Sequence, residues 1–186
     1  PASAGSAVFM GAVGDICAFL QSAVQHEYSR VVFEGLRVTG SLFYALSEPS
    51  NGTVSPANMT KLPGLVQVVY DKLCKVDIDQ EVKQCAILTS AALVNLAIPT
   101  SAEKIDSFLQ IFADRLNNEL TRDAALKGLT LVALNTQADG QPGALIPITR
   151  TGAFLPAFFD LLKKTERQLH LNTLECLEAL TRRYPQ

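Results

Sequence analysis

The sequence is poor in the residues that build metal sites. Its two histidines, His26 and His170, are far apart, and no C-x-x-C pair occurs among its four cysteines. Because a zinc site needs about four such ligands at suitable spacing, no metal site is expected. Each cysteine instead falls within a helical pattern, where a reduced thiol acts as a small hydrophobe. This favours a reducing compartment over a disulfide framework.

Positive charge and long apolar runs are also scarce. The 16 basic residues are outnumbered by 18 acidic ones, and the pI is near 5.7. Since nucleic-acid-binding surfaces usually carry a basic stripe, no nucleic-acid partner is expected. The uncharged run that ends at Pro99 is too short to span a bilayer, and the first residues lack the basic start of a signal peptide. We therefore expect no membrane partner, and a cytoplasmic or nuclear location.

Motifs for catalysis and for cofactors are missing as well. No glycine loop is followed by Lys-Ser/Thr, and no serine stands in Gly-x-Ser-x-Gly. The acids Asp77, Asp79 and Glu81 could suggest a calcium loop, but its turn glycine and its twelfth-position glutamate are missing. Helix capping explains these acids more simply. The sequence therefore predicts a protein that is not an enzyme and that needs no cofactor or small-molecule substrate.

What the chain does contain is helical hairpins, and the stretch 76–99 is the clearest element. The acids at its start are stabilised by the partial positive charge of a helix N-terminus. Apolar residues then recur with a period near 3.6, and no charged side chain occurs from Cys85 to Pro99. This pattern predicts a largely buried helix. Small residues within it would let another helix approach closely.

The same pattern returns three more times along the chain. A small residue is followed by a large one, at intervals of 51, 42 and 45 residues, in Gly35-Leu36, Ala86-Ile87, Gly128-Leu129 and Thr173-Leu174. A second series matches Asp71-Lys72-Leu73 to Asp114-Arg115-Leu116. Self-similarity at about 40–47 residues, with two helices per unit, is typical of HEAT and armadillo arrays. The sequence therefore predicts an all-α superhelical solenoid of about four hairpin repeats.

The predicted repeats cover residues 4–47, 61–97, 101–136 and 150–184, as one continuous array. The third begins with a capping box, in which Glu103 reaches back to Thr100. Two long loops without helical signal separate the repeats, at 48–61 and at 138–147. A terminal repeat needs a polar outer face, yet the first helix carries apolar residues on more than one side. We therefore expect a fragment of a longer solenoid.

Several short sequence segments, taken in the register of these repeats, resemble segments of the cullin-associated and neddylation-dissociated family of all-HEAT proteins. The clearest is DIDQEVKQCAI at 77–87, followed by LQIFADRLNNELTR at 109–122 and LTLVA at 129–133. RQLHLNTLECLEAL at 167–180 and the weaker YSRVVFEGLRVT at 28–39 extend the likeness over nearly the whole chain, in colinear order. The departures are concentrated in the two long loops. The resemblance would place the chain in the middle portion of the family's proteins.

The resemblance implies a binding protein. The family wraps around cullin–RING ubiquitin ligase cores that lack the ubiquitin-like modifier, and it promotes exchange of their substrate receptors. The partner it implies is therefore a cullin–RING core, and a middle segment could also be a curved spacer. The other hypothesis is a generic HEAT scaffold, of the transport-receptor or phosphatase-scaffold type, that shares only the helical pattern.

Candidate partner-binding residues are the charged ones on the second helix of each repeat, because those helices usually line the binding surface of HEAT arrays. The alternative is that they form an ordinary solvated face, where each ion pair contributes only about 0–1 kcal/mol to stability. The candidates are Arg30, Glu34, Lys83, Arg122, Lys127, Arg167 and Glu175.

Overall fold

The computed structural model describes residues 4–47, 54–96, 98, 101–134 and 148–183. Within these ranges the chain is built of α-helices, and the sole β-type pairing is an isolated bridge between Ser47 and Val54. The predicted all-α class is confirmed. The helices are α1 (Ala4–Val24), α2 (Ser29–Leu46), α3 (Pro56–Met59), α4 (Pro63–Cys74), α5 (Gln80–Asn95), α6 (Ala102–Leu116), α7 (Arg122–Ala133), α8 (Ile148–Leu162) and α9 (Arg167–Arg183).

Local sequence signals set several helix starts. The Asp79 carboxylate caps α5 by accepting a hydrogen bond from the Glu81 backbone N–H at 2.9 Å. At α6 the cap is Ser101, whose hydroxyl accepts from the Lys104 N–H at 3.2 Å. The cap thus lies one residue later than the predicted capping box, and Thr100 itself lies outside the described residues.

The helices pair as hairpins and stack in two layers. Helices α1, α4, α6 and α8 pack on one another as the first layer, and α2, α5, α7 and α9 as the second. Each first-layer helix also packs on the second-layer helix that follows it. This is the hairpin arrangement of a solenoid, in which each repeat contacts its neighbours.

The predicted repeat register is visible in the burial. Gly35, Ala86, Gly128 and Thr173, the small members of the four pairs, are all buried. The large members Leu36, Ile87 and Leu129 are 0–1% exposed, whereas the fourth, Leu174, is 52% exposed. Leu73 and Leu116, the matched leucines of the first layer, are also buried.

The first long loop is more ordered than the sequence predicts. Its second half contains the short helix α3, and it buries Val54 and Asn58 to 5% and 2% exposure. Proline at the first helical position is compatible with such a turn, because that position needs no backbone donor. The other half of this loop, 48–53, and the whole of the second, 138–147, lie outside the described residues.

Candidate partner-binding surface

The exposed side of the second layer has a groove between α2 and α5 of about 800 Å³. Its α2 wall includes Arg37 and Tyr44, and its α5 wall includes Gln84 and Leu88. Tyr44 and Leu88 are 43% and 41% exposed, although both are large and apolar in body. The groove therefore offers an amphipathic surface with one exposed large side chain on each of its two walls.

Ion pairs organise the α2 wall. Glu34 accepts from Arg37 Nε at 2.7 Å and lies 3.0 Å from the Arg30 guanidinium. The hydrogen bond from Arg37 is the main reason that the pKa of the Glu34 carboxyl is lowered, and the same contact raises the pKa of Arg37. The Arg30 guanidinium also lies over the Phe33 ring, 5.2 Å from its centroid. Two arginines thus share one carboxylate, which leaves this wall with a net positive charge.

The α5 wall is held to its neighbours by side-chain hydrogen bonds. Gln84 Nε2 donates to the Leu120 carbonyl at 2.8 Å, which links α5 to the turn before α7. Thr89 Oγ1 donates to the Leu36 carbonyl of α2 at 3.0 Å in a buried position. Burial raises the pKa of the Tyr44 phenol, while a hydrogen bond with Asn95 opposes that rise. These bonds fix the two helices that form the groove.

A smaller groove of about 260 Å³ lies between α7 and α9. Lys127 and Glu175 line it, together with Leu134 and Asn172. Lys127 pairs with Asp123 at 2.7 Å, and Asn172 donates to the same Asp123. Asp123 thereby joins α7 to α9 at this groove.

The seven predicted residues do not share one surface. Arg30 lines the α2–α5 groove, Lys127 and Glu175 line the α7–α9 groove, and Glu34 faces the outer side of α2. The Arg122 side chain is only 11% exposed, and it pairs with Glu166 at 2.7 Å and Glu119 at 3.7 Å. Its position links α7 to the turn before α9. The remaining two, Lys83 and Arg167, line neither groove.

Sequence reasoning missed Arg37, Tyr44 and Leu88. The repeat register could have identified two of them. Leu36 and Ile87 are equivalent positions of two repeats, and the residues that follow them, Arg37 and Leu88, both line the α2–α5 groove. Choosing charged residues alone discarded the two apolar ones. Exposed Tyr and Leu side chains in one groove are more informative than scattered charges, because partner contacts are rich in aromatic residues.

The described residues contain no group of three or more histidines, cysteines or acids placed to hold a metal ion. The two histidines have local backbone partners. His26 Nδ1 accepts from the Tyr28 N–H at 3.1 Å, and His170 Nε2 contacts the Lys164 carbonyl. Among the helices that the structure describes, none has the length and hydropathy of a membrane span.

Solved structures with a similar fold define the class. A designed armadillo repeat protein matches 92% of this chain and 74% of its own, with a TM-score of 0.55 at 16% identity. An engineered protein matches 97% of this chain and 76% of its own, with a TM-score of 0.55 at 14% identity. The fold is therefore that of a helical-repeat scaffold of the HEAT/armadillo type.

Curated relatives give the family, although no family model matches the chain. Cullin-associated NEDD8-dissociated protein 2 of Mus musculus is 34% identical over 134 residues, which is 72% of this chain. Cullin-associated NEDD8-dissociated protein 1 of Drosophila melanogaster is 32% identical over 126 residues, 66% of this chain. The chain belongs to the family of cullin-associated NEDD8-dissociated proteins. It spans only 9% of the mouse relative and 10% of the fly one.

Proposed function

We propose that this chain is a non-catalytic segment of a cullin-binding factor. In this proposal the factor promotes substrate-receptor exchange on cullin–RING ubiquitin ligases that lack the ubiquitin-like modifier, in the cytoplasm, the nucleus or both. The observation that carries the proposal is the 34% identity, over 134 residues, to a relative named for its association with cullins. A stack of helical hairpins supports it, because such arrays present extended surfaces for protein partners.

The proposed contact site for the cullin is the α2–α5 groove. Tyr44 and Leu88 are its exposed large side chains, and interface energy is usually concentrated in a few such anchors. Arg30 and Arg37 lie on the same wall and share the single carboxylate of Glu34. The α2 wall thus suits an acidic side chain of a partner segment, whereas Glu81 on the α5 wall disfavours one there. The exposed Tyr44 and Leu88 suit an apolar side chain of the same segment.

The predicted charged residues contribute unequally in this proposal. Arg30 belongs to the α2–α5 groove itself. Lys127 and Glu175 lie at the far α7–α9 groove, where they would extend the contact along the second layer. Arg122 is engaged with Glu166, so its replacement would disturb the α7–α9 junction and would not report on binding alone.

The test is a titration of the chain against a purified cullin–RING core, with and without the ubiquitin-like modifier. We expect binding to the bare core that weakens on modification. Leu88→Asp is expected to reduce the affinity by about tenfold or more, because it places a charge among the apolar contacts of the groove.

Val76→Asp is the matched control. Val76 is also an exposed apolar residue, at 68% exposure, but it lies in the turn between α4 and α5, away from the groove. Its replacement is expected to leave the affinity unchanged. If the two variants weaken binding equally, the groove is not the contact site, and if the unaltered chain binds neither form of the core, the proposed function of this segment is refuted.

A further inference from the structure

The residues that line the α2–α5 groove form a helical stripe on each of its two walls. On α5 they recur at spacings of three and four residues between Glu81 and Ala92. Such spacings place side chains on one face of a helix, and they are typical of the face that packs on another helix. The α2 wall has the same spacing, with Arg30, Phe33, Arg37, Gly40, Ser41 and Tyr44. The groove is therefore a trough that follows the axes of both helices for about 20 Å.

The two walls of the trough are parallel helices. The Cys85 thiol donates to the Phe33 carbonyl at 3.6 Å, and Thr89 Oγ1 donates to the Leu36 carbonyl at 3.0 Å. Both bonds advance in the same direction along the two helices, so α2 and α5 run parallel. Positions related by the repeat interval of 51 residues therefore lie at about the same height in the trough.

Charge is distributed unevenly along the trough. At its start, Arg30 on the α2 wall is level with Glu81 on the α5 wall, so opposite charges stand on the two sides. About two turns further on, Arg37 is level with the apolar Leu88. Both arginines share the one carboxylate of Glu34, so an acidic group of a ligand is attracted to the α2 edge. The α5 edge carries Glu81 and repels such a group.

A recess lies in the trough beyond Arg37. Its lining residues are small: Gly40 and Ser41 on α2, and Ala92 on α5. Large exposed side chains stand about one turn away at its two ends, because Leu88 precedes Ala92 by four residues and Tyr44 follows Gly40 by four. The recess is therefore shaped to hold one large apolar side chain between two exposed apolar bodies.

An α-helix fits this trough better than an extended segment does. A helix presents a ridge of side chains at spacings of three and four, which interdigitates with the matching stripes of two flanking helices. In an extended segment the side chains alternate between opposite faces, so only every second one would point into the trough. A helix also pairs its own backbone N–H and C=O groups, whereas walls that are themselves helices offer few backbone partners to an extended chain.

We propose that the occupant of the α2–α5 groove is a single amphipathic α-helix of the partner, lying along the trough. Its apolar face seats one large side chain in the recess between Leu88 and Tyr44. Its edge along α2 carries an acidic residue beside Arg37, and its edge along α5 is not acidic opposite Glu81. The inference rests on the proposed function, because the partner that supplies the helix is the cullin–RING core.

The first test measures the form of the bound segment by photocrosslinking. Phe33 and Tyr44, two aromatic residues of the α2 wall, are replaced singly by p-benzoylphenylalanine, and each chain is irradiated with the purified, unmodified cullin–RING core. The two positions are eleven residues apart, which is about 16 Å along the trough. Mass spectrometry of the products is expected to find both crosslinks in one segment of the core, about 11 residues apart, since a bound helix also rises about 1.5 Å per residue.

The other outcomes of this test are distinct. Crosslinks about five residues apart would indicate an extended segment, at about 3.3 Å per residue, and would overturn the inference. Crosslinks to two separate segments, or none while the core still binds, would overturn it as well, although the proposed function would stand. A chain that does not bind the core at all would refute the proposed function, and this inference with it.

The second test fills the recess. Ser41 is exposed, so Ser41→Phe is expected to leave the fold intact and to occupy the space meant for the partner's side chain. We expect it to weaken binding to the core by about tenfold or more. Ser22→Phe is the matched control, because Ser22 is an exposed helical serine of the first layer, and it is expected to leave the affinity unchanged. Equal affinities of the two variants would overturn the inference, and the crosslinks decide alone if Ser41→Phe does not fold.

The third test reverses the charge on the α2 edge. Arg37→Glu is expected to weaken binding to the core by about tenfold and to reduce the salt dependence of the affinity, because it repels the acidic edge of the helix. Arg182→Glu is the matched control. Arg182 is as exposed as Arg37 and also pairs with one carboxylate, that of Glu178, but it lies on α9 and lines neither groove. Stronger binding by Arg37→Glu, or an equal loss in both variants, would overturn the assignment of an acidic edge.

Discussion

Two glycines of α2, five residues apart, are expected to respond in opposite ways to the same substitution. A helix-interior glycine replaced by alanine gains about 1 kcal/mol from helix propensity alone. A new Cβ at Gly40 would lie 3.8 Å from Thr89 Oγ1, which is an ordinary contact. Gly40→Ala is therefore expected to stabilise the protein by about 1 kcal/mol.

At Gly35 the space is already occupied by α1. A new Cβ would lie 3.1 Å from Ala23 Cβ, and 3.2 Å from both the Ala23 carbonyl carbon and the Val24 nitrogen. Two of these three atoms belong to the backbone and cannot rotate away. Overpacking of this kind costs about 1–3 kcal/mol, which offsets the propensity gain and leaves Gly35→Ala about 0–2 kcal/mol destabilising.

Urea unfolding of the two single variants measures the difference directly. The midpoints are expected to move in opposite directions, or at least to differ by about 1–3 kcal/mol in free energy of unfolding at equal m-values. Gly35→Ala as stabilising as Gly40→Ala would refute the reasoning. It would mean that α1 and α2 are not packed as closely as the structure has them.

Three further predictions concern buried polar groups and thiols. Thr89→Val is expected to lower the free energy of unfolding by about 1 kcal/mol, because it removes the buried hydrogen bond to the Leu36 carbonyl. Urea unfolding measures this loss, and Thr60→Val, which removes an exposed hydroxyl, is the control. Equal losses of stability in the two variants would contradict the prediction. Burial raises the pKa of Cys176 from 9.0 to about 11, so the folded state holds this proton more tightly and stability falls as pH rises across that interval, by up to about 3 kcal/mol. Cys176→Ala is expected to flatten that fall in unfolding measured at several pH values, and an unchanged slope would refute the assignment. Cys74 is the one exposed cysteine of four, so a thiol reagent at neutral pH is expected to label a single site rapidly. Cys74→Ser is expected to abolish that rapid labelling. Two rapidly labelled thiols in the unaltered chain would contradict the burial of the other three cysteines.

The fold class could be predicted from the sequence because its signals are local and repeated. The acids before Val82 and the uncharged run from Cys85 to Pro99 predict a buried helix that begins at a cap, and the structure places that cap at Asp79. The recurring small-large pairs gave the register, because close helix packing requires a small residue at fixed points of every repeat. Helix ends were less predictable, as the short helix α3 and the cap at Ser101 show, because single turns depend on packing that a period does not encode.

The surface could not be predicted in the same way. Charge marked Arg122 as a partner-binding candidate, but the tertiary structure turns it toward Glu166 and leaves it largely buried. Tyr44 and Leu88 carry no charge and were not among the predicted partner-binding residues, yet both line an open groove because α2 and α5 lie side by side. The sequence by itself determined the long helices, their repeating pattern and the family. Only the tertiary structure decided which side chains remain accessible, because exposure depends on the neighbouring helix rather than on the residue.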